Sequence, residues 1–201
     1  QDESPTWPQT DEAVFAISDL QGWFEAAFTD MINVFSHADL SRPSWTWSPW
    51  DQKAEWWVRR MAHETLIHGI DASVAAGRPV PPDSLLGPDG VDELLDEMLA
   101  GAPDWAGITP SDRWVRLRGG GRTWDLRTMT WSGTSNQTGT TYTDEPGFIH
   151  HSTSRPDTVI EADPLTLDVW LWGRGSLPDG AVSGDSSLVD LLRSVAADAT
   201  G

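Results

Sequence analysis

No cysteine occurs in the 201 residues, which excludes disulfides, thiolate metal sites and a cysteine nucleophile. Any metal must therefore be held by His, Asp or Glu. Basic residues are scarce: 13 Lys and Arg face 31 Asp and Glu, for a formal net charge of -18. That balance disfavours nucleic acid and anionic membranes as partners, because both reward Lys and Arg; neither is expected. Lys53 is the one lysine, and lysine scarcity beside abundant Ala, Gly, Asp and Arg suggests a GC-rich genome. No apolar run approaches the roughly 18 residues of a membrane span, and nothing resembles a leader peptide, so the cytoplasm is the default compartment. The chain opens on Gln1 rather than Met, which suggests that it is processed, trimmed or incomplete.

Tryptophan is abundant. The 13 Trp residues, within a 38% hydrophobic composition, point to core or seam packing, since Trp joins a large apolar area to one donor. The length allows one large domain or two small ones. Residues 11–39 carry apolar positions at helical spacing, with Asp11 as a plausible N-cap. After a loop holding Pro43 and Pro49, residues 51–76 read as a second long helix. AAGRPVPPDSLLGPDG reads as a connector, and VDELLDEML as a short amphipathic helix. DRWVRLRGGGRTWDLRTMTW alternates around a glycine turn, the pattern of a β-hairpin. TVIEADPLTLDVWLWGRG supplies one more strand and an apolar run of undecided type. GDSSLVDLLRSVAAD closes the chain as a helix capped by Asp185 or Ser186. The fold class is α+β, with a helical part over residues 1–102 and an α+β part over residues 103–201.

The stretch MAHETLIHGIDA, residues 61–72, nearly spells the zinc-protease pattern H-E-x-x-H but spaces its histidines five apart. At about 100° per residue, Arg60, Glu64, His68 and Asp71 fall within a quarter turn, whereas Trp56, His63, Ile67, Ile70 and Val74 gather on the apolar side. His63 thus belongs to the core, packed and hydrogen-bonded. Glu64 and His68, one turn apart, can both reach one divalent ion at roughly 2.0–2.2 Å, with Asp71 orienting the His68 imidazole through its other nitrogen. The same stripe is equally a solvent-facing ladder of i, i+4 charge pairs. Spacing alone leaves both readings open.

W-T-W-S-P-W at 45–50 and E-W-W-V-R-R-M-A-H-E-T-L-I-H-G-I-D-A at 55–72 resemble the mycothiol-dependent maleylpyruvate isomerase family of actinobacteria. So do P-D-G-V-D-E-L-L at 88–95, L-D-V-W-L-W-G-R at 167–174 and G-D-S-S-L at 184–188. The resemblance implies a DinB-like helical-bundle domain, incomplete in this chain, before a small α+β domain. It implies that Glu64 and His68 are two of three protein ligands to a divalent metal, normally zinc. The third would be a histidine on an earlier helix, upstream of this chain. A four-helix bundle is also short here by about two helices. His37, the histidine upstream of the motif, ends its predicted helix and reads as a surface or capping residue. Gly69 departs from the family, which commonly carries an arginine after the ligand His.

The implied chemistry is that of an activated thiol. Three protein ligands leave zinc an open position, and a zinc-bound thiol loses its proton near neutral pH. A protein without cysteine would borrow that thiol from mycothiol, as cosubstrate. Addition to an electrophilic double bond, rotation and elimination would isomerise a small substrate, whereas retention of the adduct gives an S-conjugate. Arg60 and Arg174, in the matching motifs, are the candidates for holding a substrate carboxylate; the plainer alternatives are a salt bridge to Glu64 and an arginine closing the second domain. The expected function is a mycothiol-dependent, metal-assisted thiol transferase or cis–trans isomerase. The alternative is a metal-free relative serving as an acidic binding or regulatory module. Elsewhere, Gly119–Gly121 fits a hairpin turn better than a phosphate cradle. His150 and His151 read as solvated residues in a polar loop, and Asn136-Gln137-Thr138 as a sequon without use in a bacterial cytoplasm.

Overall fold

The computed structural model describes residues 19–78, 85–99 and 101–200. The chain divides into two compact units, Gln1–Met61 and Ala62–Gly201.

In the first unit, helix α1 runs over Leu20–His37. Its cap is Asp19, whose carboxylate accepts from Gly22 N at 2.9 Å, satisfying one of the helix's orphan donors. The expected cap, Asp11, lies outside the described residues. His37 ends the helix, its Nδ1 donating to Asn33 O at 2.8 Å. None of the α1 residues is buried. The following loop is pinned by two buried hydroxyls, Thr46 and Ser48. Thr46 Oγ1 donates to Asp51 O at 2.6 Å, and Ser48 Oγ accepts from Trp50 N and Asp51 N, both at 3.2 Å. Each bond replaces the water the hydroxyl lost, so W-T-W-S-P-W is a turn that closes on itself. Its tryptophans pack with the start of helix α2, Ala54–Ala75: Trp47 meets Trp56 edge to face at 4.5 Å and Trp57 at 5.4 Å.

The second unit begins within α2 and turns Ile67 and Ile70 inward. Helix α3, Gly87–Glu93, runs on into a π-helical turn, Leu94–Met98. The VDELLDEML helix therefore starts earlier than its apolar pattern suggests, and Gly87 to Gly90 are helix rather than connector. A five-stranded mixed sheet follows, in the order β3-β2-β1-β4-β5. Strands β1, Gly107–Gly119, and β2, Arg122–Thr134, form the expected hairpin. Gly120 and Gly121 turn it with φ of 56° and 78°, which only glycine adopts without strain. Strand β3, Thr141–His150, has no counterpart among the elements expected from the sequence. It places His150 at a strand end, paired with Asp96 at 3.0 Å, rather than in a free loop.

Strand β4, Thr158–Glu161, lies parallel to β1. The undecided apolar run is helix α4, Pro164–Leu171, whose cap Asp163 accepts from Leu165 N at 3.0 Å. Strand β5, Val182–Gly184, and helix α5, Ser186–Thr200, complete the unit. Asp185 rather than Ser186 caps α5, accepting from Ser187 N at 2.9 Å. Ile67, Val91, Leu94, Leu117, Leu126, Phe148, Ile160, Leu167, Leu171 and Leu192 form one buried core. At about 25 cal/mol per Å² of apolar area, that burial is the main force holding the sheet to its helices. Among the described residues no helix is long and apolar enough to cross a membrane.

Candidate metal centre

The second half of α2 sorts its side chains as a 3.6-residue period requires. His63 faces inward, 1% exposed, and donates from Nε2 to Asp89 Oδ2 at 2.8 Å. The opposite stripe carries Glu64, His68 and Asp71. His68 Nε2 stands 3.1 Å from Glu64 Oε2, and His68 Nδ1 stands 3.2 Å from Asp71 Oδ2. Asp71 is gripped in turn by Arg174, Nε to Oδ1 at 3.1 Å and Nη2 to Oδ2 at 3.0 Å. These two hydrogen bonds hold the Asp71 carboxyl below the usual carboxylate range, against partial desolvation and with help from His68. The Arg174 guanidinium also lies 6.0 Å from the centre of the Trp172 ring.

His68 thus stands between two carboxylates. A carboxylate only accepts, so either ring nitrogen can donate, Nδ1 to Asp71 or Nε2 to Glu64. A neutral imidazole carries one proton, so it donates to one carboxylate and meets the other with a lone pair. A second proton relieves the conflict; so does a metal ion. Two ligands bonded at about 2.1 Å and separated by 90–110° at one ion stand roughly 3.0–3.4 Å apart, a spacing that an ordinary N–H···O hydrogen bond shares. With its side chain 65% exposed, His68 leaves the outer face open to an incoming group. Among the described residues no set of three or more His, Asp or Glu side chains is arranged to hold a metal. Asp71 is spent on Nδ1 and Arg174, and His63 on Asp89.

Of the two arginines singled out in the sequence, Arg174 joins the site, through Asp71. Arg60 is 2% exposed in the first unit, with its guanidinium carbon 6.0 Å from the centre of the Trp47 ring. Beside Asp71 and Arg174 lies an apolar cavity of about 370 Å³, walled by Ile70, Val74, Ala75 and Val169. No spacing rule could have found it, because its walls come from α2 and α4.

Two family models match this chain. The mycothiol maleylpyruvate isomerase N-terminal domain matches residues 11–73, and the MDMPI C-terminal domain matches residues 86–191. No curated protein and no solved structure matches. Together the two matches account for both the α2 stripe and the mixed sheet, and the chain belongs to the mycothiol maleylpyruvate isomerase family.

Proposed function

We propose that the protein is a mycothiol-dependent, metal-assisted thiol transferase or cis–trans isomerase acting on a small electrophile. One observation carries this reading: His68, locked by Asp71, turns its second nitrogen toward Glu64 at 3.1 Å. Glu64 and His68 would hold a divalent metal, zinc by its preference for imidazole and carboxylate at tetrahedral sites. When bound, zinc supplies a thiolate from a coordinated thiol near neutral pH.

The chain's own residues do the rest. Asp71 keeps the proton of His68 on Nδ1 and fixes the plane of the ring. Arg174 holds Asp71 in place and acts on the site through it. Its Nε and Nη2 donate to Asp71 and its Nη1 to Trp172 O, which makes it a positioning group before it is a receptor for a substrate carboxylate. Arg60, being buried, would support its own surroundings rather than receive substrate. The neighbouring apolar cavity would shelter the carbon skeleton of the electrophile from water, so that the thiol adds to the double bond in a dry setting.

Metal analysis of the intact protein tests the reading. About one equivalent of zinc is expected, falling in Glu64→Ala and His68→Ala. Incubation with mycothiol and maleylpyruvate, followed by separation of products, should yield the isomer or an S-conjugate. Metal-free protein that turns over neither would leave the acidic binding module as the better description.

A further inference from the structure

Away from the α2 stripe, a second cavity of about 370 Å³ opens between the β2–β3 ladder and α5. Its size falls within the range of small-molecule sites, roughly 300–1,000 Å³. Its walls are chemically sorted. Trp131 and Tyr142 contribute aromatic surface, and Met98, Leu99 and Val195 an apolar floor. The two charged residues lining it, Glu145 and Asp198, are both acidic.

The ladder explains how these groups meet. Glu145 is the direct cross-strand partner of Trp131, so both side chains leave the same face of the sheet. Val195 and Asp198 sit three apart on α5, on neighbouring turns of one face. The aromatic rings are fixed before anything binds. Trp131 and Tyr142 lie 5.2 Å apart, and Trp105 packs against both, at 5.9 and 5.8 Å. Gly133 permits this, since a Cβ there would meet the Trp105 ring at 3.0 Å. A site whose rings need no ordering loses little entropy on binding.

From this arrangement we infer that the cavity binds a small organic cation, of the methylated ammonium class. Aromatic faces attract a cation through their quadrupole, and the two carboxylates add charge of the right sign. A methylated head group also suits the apolar floor, because it has no N–H donors to leave unsatisfied there. A metal ion would find two carboxylates and, among the described lining residues, no further oxygen-rich side chain. An anion would meet repulsion from Glu145, Asp198 and a chain of net charge -18.

Choline and its neutral isostere 3,3-dimethylbutan-1-ol, titrated into the intact protein by ligand-observed NMR and calorimetry, decide the matter. Choline should bind at one site, and the isostere about tenfold more weakly or worse, the factor a desolvated cation–π contact supplies. Trp131→Leu should weaken choline by a similar factor, and Glu145→Gln by several-fold, both with wild-type circular dichroism. Asp190→Asn, an exposed α5 carboxylate away from the cavity, should have no effect. Absence of choline binding at millimolar concentration overturns the assignment. Equal binding of choline and the isostere, or equal effects of Asp190→Asn and Glu145→Gln, also overturns it. The comparison of the two ligands on the unmodified protein stands even where Trp131→Leu fails to fold.

Discussion

Arg174 grips Asp71 across 103 residues of chain, with two nearly parallel hydrogen bonds of 3.1 and 3.0 Å. The contact ties the Trp-Gly-Arg element after α4 to the stripe of α2 that carries Glu64 and His68. Asp71 in turn stands 3.2 Å from Nδ1 of His68. If the pair positions a ligand, its loss should appear in metal affinity before it appears in stability. Asp71→Asn and Arg174→Gln are each expected to weaken zinc by about 10- to 100-fold in a competition titration with a chelating indicator. Wild-type affinity in both variants, beside loss in Glu64→Ala, would show the pair to be a mere surface tie.

A second ion pair gives a stability signature with acid. Arg116 and Asp125 are cross-strand partners in the β1–β2 hairpin, joined at 2.6 and 2.8 Å and largely shielded from solvent. The guanidinium holds the Asp125 carboxyl below its ordinary value of 3.8, aided by the Thr153 amide and opposed by partial burial. A depressed folded-state pKa means that the stabilisation is complete above the unfolded value and disappears as pH falls through the folded one. Urea unfolding at pH 7 should therefore show Asp125→Asn to be less stable by about 2–3 kcal/mol. The difference should shrink as pH falls below the ordinary carboxylate value and through the lowered folded-state one, and a difference independent of pH would show that the charge is not its cause.

Gly69 stands in the interior of α2, and a Cβ added to it would have nothing within 4 Å. Glycine there carries the entropic penalty of a helix interior without a packing reason. Gly69→Ala should stabilise the protein by about 0.5–1 kcal/mol, read as a higher Tm with unchanged zinc content. A lower Tm would mean that the open space beside Gly69 is occupied in solution.

Gly87 is the opposite case. A Cβ on it would meet Leu165 N at 2.5 Å, because α3 approaches the backbone at the start of α4. Gly87→Ala must push the two helices apart, and a loss of about 1–3 kcal/mol is expected. The two glycines, tested side by side in the same denaturation assay, should move stability in opposite directions.

Local rules make much of this fold legible, and their failures have physical causes. The sorting of His63 from Glu64, His68 and Asp71 needs only the helical period. Asp89 as the partner of His63 is not readable, because the bond joins two helices. Strand β3 escapes the pattern because TYTDEPGFIH holds two carboxylates and Pro146, which disfavour strands. As an outer strand of the sheet, β3 tolerates a proline. The apolar run before Trp-Gly-Arg stays undecided because a helix buried on most sides shows no clear period. Yet Asp163-Pro164, a cap followed by proline at the first helical position, is an available start signal. The cavity of Trp131, Tyr142, Glu145 and Asp198 has no signature in one dimension, since it exists only once β3 pairs and α5 docks.

The strand order has a consequence for how the second unit is born. Strands β1, β2 and β3 form a meander of neighbours in sequence, whereas β4 must insert beside β1 on the far side, parallel to it. A three-stranded sheet is thus complete while the edge of β1 still waits for a partner that the ribosome has yet to deliver. Until β4 and β5 arrive, that open edge is where a nascent chain would cling to another copy of itself.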